Sequence, residues 1–88
     1  MEQRNVKEVR VSVPGTHPSH ITHFQWVDQN GEWRNGPRDE MVAFVKQNAG
    51  MAYTLVNGLR ANLRVVEHWV ETYPDHTKKD NLLSLPRF

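Results

Sequence analysis

Alternation of apolar and polar residues is clearest at 50–66, GMAYTLVNGLRANLRVV, where two strand-like runs flank Asn57-Gly58. Asn-Gly is the strongest short signal for a two-residue hairpin, because a type I′ turn needs positive φ at both central positions. A bend of that length pairs Val56 with Leu59, Thr54 with Ala61, Ala52 with Leu63 and Gly50 with Val65, all on one side of the pleat. The other side carries Leu55 opposite Arg60, Tyr53 opposite Asn62 and Met51 opposite Arg64. The aliphatic side is the expected core face, and the aromatic and cationic side is left over.

The rest of the chain supplies partners for that core face. Residues 1–5 are polar and are expected to fray. Val9, Val11 and Val13 alternate with Arg10 and Ser12, which predicts a half-buried strand stopped by Pro14-Gly15. In 20–27 two faces compete, Thr22, Phe24 and Trp26 against Ile21, His23 and Val27. The larger area favours Phe24 and Trp26 inward. Asn30-Gly31 offers a second tight turn, with a short return strand at 32–34 bearing Trp33.

Gly36-Pro37 opens a helix at about 37–48: Pro suits its first position, Asp39 and Glu40 its positive end and Lys46 its negative end. Met41, Phe44 and Val45 keep helical spacing, and Gly50 is placed to end the helix. Residues 69–73 read either as a bent continuation of the second hairpin strand or as a new strand after a tight turn. Thr77 and Asp80 have capping-box spacing ahead of Leu82, Leu83 and Leu85. That tail is either an exposed motif for a partner's groove or a latch closing one end of the core, and a small core favours the latch. The predicted fold is a single α+β domain over 1–88, a twisted antiparallel sheet of four to five strands with the helix packed on one face.

Taken together, ITHF at 21–24, Glu40-Met41, AYTLVNGLRA at 52–61, VVE at 65–67 and TKKDNLLSLP at 77–86 resemble a domain-of-unknown-function family of short bacterial proteins. In that family a YT, turn, VxV pattern precedes a DNLLxLP-like tail. The glycine-containing connection before the last strand is shortened here to Glu67-His68, and the strand at 6–13 is an addition. The resemblance implies a compact bacterial domain. With no activity established for the family, it supplies no catalytic residues.

Composition narrows the chemistry. The absence of Cys removes disulfides, thiolate nucleophiles and the usual structural zinc sites, and it permits a cytoplasmic location. No secretory signal or membrane span is readable. A net charge of +1 is too balanced to imply nucleic acid from bulk charge, so a basic site has to come from clustering.

Five His invite a metal site, but His20 and His23, three apart, fall on opposite faces of a strand. His17 can reach His23 only from its loop, with no third ligand. Ser12, Ser19 and Ser84 have no nucleophile-elbow context, and neither GxGxxG nor GxxxxGK occurs. No catalytic, cofactor or metal residues are assigned.

The positive signal is the spare hairpin face. Tyr53, Arg60, Asn62 and Arg64 share it, and Lys79 joins if the tail packs across the end of the sheet. Arg offers fixed forks for phosphate or carboxylate, and Tyr offers a stacking plane. The competing reading is a solvated face whose Arg stems cover Met51, Leu55 and Val66. The expected function is a non-enzymatic binding or interaction module of bacterial or phage origin, with a protein partner or a second copy docked on an edge strand. The alternative is an anionic-ligand binder, for single-stranded nucleic acid or a small nucleotide, on the Tyr/Arg face.

Overall fold

The Asn57-Gly58 bend forms as the residue types demand, with φ of +53° and +78°. Tyr53, Thr54, Leu55 and Val56 pair across it with Asn62, Ala61, Arg60 and Leu59. The computed structural model describes residues 2–73 and 82–88. It contains strands β1 (Arg4–Val11), β2 (Ile21–Asp28), β3 (Trp33–Pro37), β4 (Ala52–Val56), β5 (Leu59–Val66) and β6 (Trp69–Thr72). Helix α1 (Arg38–Gln47) lies between β3 and β4, and a short 3-10 turn spans Pro18–His20.

The predicted core face is buried away from the turn, whereas its Val56 and Leu59, at the tip, are exposed. Ala52, Thr54, Ala61 and Leu63 are buried, and Ala52 and Leu63 enter one apolar cluster with Met41, Val42, Phe44 and Val45 of α1. Buried Thr54 spends its hydroxyl on the carbonyl of Ala61, as a polar group at that depth must.

The α+β class stands, but the sheet differs from expectation in two ways. Among the described residues it has six strands rather than four to five, in the order β3-β2-β1-β4-β5-β6, and it is mixed, because β1 and β4 run parallel. The parallel pair follows from the path of the chain. The β1-β2-β3 meander reverses direction twice, α1 carries the chain back across the sheet, and β4 therefore starts from the same end as β1. A helical crossover is what parallel neighbours require. The sixth strand arises because Glu67-His68 makes a two-residue turn, with Glu67 at φ +53° and Val66 paired to Trp69.

β1 is the centre of the sheet and begins at Arg4, inside the segment expected to fray. Two bulges set its facing. Lys7 is skipped between the pairs Val6–Trp26 and Glu8–Gln25, so Val6 and Val9 both point inward although they are three apart. Thr22 is skipped between Arg10–His23 and Val11–Ile21. Ile21 therefore joins Phe24 and Trp26 in the core instead of facing outward with His23 and Val27. Val13, expected to extend this strand, lies beyond it and is exposed. The helix is trimmed by one residue at each end, and Pro37 closes β3 and caps the helix by backbone alone.

The second edge of β1 is shared. Residues 4–6 pair with β4, while Val9 donates to the Pro86 carbonyl and accepts from the Phe88 amide. Leu82 and Leu85 are buried in the common core. For these residues the tail is a latch, whereas the Thr77 and Asp80 capping spacing lies outside the described residues. Leu82→Ala should accordingly lower stability by about 2–5 kcal/mol in urea unfolding, the range for a buried leucine truncation. An unchanged midpoint would separate the tail from the core.

Candidate functional site

The pairing register puts Tyr53, Arg60, Asn62 and Arg64 on the sheet face opposite α1. The Arg60 guanidinium lies over the Tyr53 ring, its carbon 3.8 Å from the centroid. Its Nε donates to Asn62 Oδ1 at 3.1 Å and its Nη2 to the Gly50 carbonyl at 2.8 Å. Stacking and two hydrogen bonds thus hold the guanidinium in one orientation. Among the described residues no carboxylate pairs with it.

Arg64 differs. It sits directly across from Glu71, with Nη2 to Oε1 at 3.4 Å, and lies 5.5 Å from the Tyr73 ring. Glu71 also accepts from Trp69 Nε1. Three of the expected residues therefore form one interlocked group, the fourth is neutralised nearby, and Lys79 lies outside the described residues. Beside Arg60, the hairpin end exposes Leu55, Val56 and Leu59, the last at 70 %.

A second site was not expected from the sequence. Arg4 points inward from β1 and is only 5 % exposed. Its guanidinium is sandwiched between the Trp26 and Phe44 rings, 4.3 and 3.9 Å from their centroids. Nη1 and Nη2 reach the two oxygens of Glu40 at 2.7 Å each, and Nε reaches Glu2 at 2.7 Å. Burial alone pushes the Arg4 pKa down, but the hydrogen bonds to Glu40 and then Glu2 outweigh it and hold it above its ordinary value. Such desolvation is tolerated only with geometry this complete. The signal available in the sequence was parity: Arg4 falls two residues before Val6, on the same strand face.

Over this group opens a cavity of about 550 Å³, lined by Glu2, Arg4, Trp26, Arg34, Asn35 and Glu40 among others. Gly36 belongs to its wall because a Cβ there would meet Glu40 Oε2 and Trp26 Cη2 at 3.2 Å. His17 and His20 play local roles. His17 Nδ1 accepts from the Ser19 amide, and His20 Nδ1 accepts from the amides of Thr16 and His17, which closes the 3-10 turn. The His17 ring meets Trp69 edge-on at 5.3 Å.

Asp28 borders the same cavity and orders the β2-β3 turn. Its carboxylate accepts from Arg34 Nε at 2.8 Å and from the amides of Asn30 and Glu32. The Arg34 bond first, then the Glu32 amide, holds its pKa below the usual carboxylate value. A folded pKa below the unfolded one means that the charge stabilises above about pH 4 and loses that effect as pH falls through the folded value. Stability should therefore decline on acidification below about pH 4, and Asp28→Asn should flatten that limb of a denaturation profile. An acid limb of the same slope in the variant would remove Asp28 as its source.

Compared with known proteins, the chain matches no family model, no curated protein and no solved structure.

Proposed function

We propose that this chain is a non-enzymatic interaction module, bacterial or phage in origin and cytoplasmic, that docks an acidic segment of a protein partner on the outer face and tip of the β4–β5 hairpin. One observation carries the reading: Arg60 is oriented by Tyr53, Asn62 and the Gly50 carbonyl, with no carboxylate partner among the described residues. An arginine held in advance loses little side-chain entropy on binding, and its fork suits a carboxylate. Leu55, paired directly across from it, adds exposed apolar area on the same face, and Val56 and Leu59 expose more at the tip on the other side of the pleat, a combination of charged anchor and apolar contact that concentrates binding energy. An acidic side chain next to an aliphatic or aromatic one fits that surface.

The second reading is an anionic ligand, single-stranded nucleic acid or a small nucleotide, since an unneutralised guanidinium serves phosphate equally well. Arg60 already covers one face of the Tyr53 ring, so a base would have to stack on the guanidinium plane itself. The apolar rim favours the protein partner.

Selection of a random displayed-peptide library on the purified protein tests this. The expected consensus places Asp or Glu beside Leu or Phe. Affinity of the selected peptide should fall about tenfold or more in Arg60→Glu, while the unfolding midpoint stays put. A consensus without acidic residues, or binding indifferent to Arg60→Glu, would overturn the proposal. Oligothymidylate bound more tightly than any peptide, and weakened steeply by salt, would instead select the nucleic-acid reading.

A further inference from the structure

The buried Arg4 has partners of two kinds. Glu40, Trp26 and Phe44 belong to packed strands and the helix, and they fix the guanidinium plane and both of its Nη groups. Nε is served differently. Its acceptor is Glu2, which lies outside β1 and has a side chain 42 % exposed. Of the two carboxylates on Arg4, Glu2 is thus the one that no strand or helix holds, and both it and Arg4 line the cavity. The same wall holds Trp26, which is 3 % exposed and presents the Cη2–Cζ3 edge of its ring toward Gly36.

We propose that Glu2 occupies, in cis, the place of a ligand carboxylate, and that the cavity above Arg4 binds a small organic carboxylate when Glu2 swings away. Charge balance supports the exchange. Without Glu2, the charged lining of Arg4 and Arg34 offsets that of Asp28 and Glu40, and a monoanion restores the charge that Glu2 now supplies. Desolvation sets its terms, because a buried Nε–H left without an acceptor is costly. Departure of one carboxylate is therefore favoured when another arrives. A cavity of about 550 Å³ has room for an apolar body behind the anionic group. Its wall of Trp26 and the Gly36 backbone suits a flat one.

The tether makes Glu2 a strong competitor, with an effective concentration on the order of millimolar. Removing its charge should expose the site. In a ¹H–¹⁵N correlation spectrum, benzoate and phenylacetate should shift the Trp26 Nε1–H and Arg4 Nε–H signals of Glu2→Gln at concentrations about tenfold or more below those needed for the unmodified chain. Benzamide and phenylacetamide should not shift them. Arg60→Glu should leave the response unchanged, which separates this site from the hairpin face. Equal affinity in both proteins, an equal response to the amides, or no shift in Glu2→Gln would each overturn the proposal.

Discussion

A two-residue bend admits one register, and that constraint decides which side of the sheet is which. With Asn57 and Gly58 both at positive φ, Val56 has to face Leu59. Every second residue then follows. Ala52, Thr54, Ala61 and Leu63 go beneath the helix, and Tyr53, Arg60 and Asn62 go to solvent. A slip of one position would drive a guanidinium into the core, where charge without a prepared partner costs several kcal/mol. The identity of two turn residues thus governs the placement of the exposed cationic group, and the core enforces that placement.

Local features were legible because their causes are local. The hairpin, its register, the helix and the inward facing of Phe24 and Trp26 all follow from residues within one segment. What escaped was decided from across the sheet. Lys7 and Thr22 carry no mark of a bulge, since a bulge depends on what the opposite strand needs. The parallel pairing of β1 with β4 depends on where α1 returns the chain, which no alternation pattern encodes. The Tyr53, Arg60 and Asn62 group was visible in outline, though the stacking of Arg60 on Tyr53 was not. Arg4 was hidden by its own chemistry. A charged residue near the start of a chain looks solvated until Trp26, Phe44 and Glu40, each from a distant segment, close around it.

The two arginine sites show how environment divides the work of one residue type. At the surface, Arg60 is oriented by a ring and two neutral acceptors and keeps its charge available. Inside, Arg4 is bound by two carboxylates and two rings, so its charge ties β1 to α1 and to the segment before the strand. Asp28 does similar work at the β2-β3 turn, where one carboxylate organises two backbone amides and Arg34. Among the described residues, the ion pairs Arg4–Glu40, Arg34–Asp28 and Arg64–Glu71 are joints between elements. Two departures from that pattern, an arginine with no carboxylate partner among the described residues and a joint made by a half-exposed glutamate, are the places proposed above for another molecule.

The divided edge of β1 has a consequence for how the chain is made. The central strand is synthesised well before its partners, since the carbonyl and amide of Val9 pair with residues 86–88, close to eighty positions later. Contacts so far apart in sequence are slow to form. During synthesis the meander and the helix have to wait with the middle of the sheet unsealed, and the native packing closes only once Leu82 and Leu85 have been added.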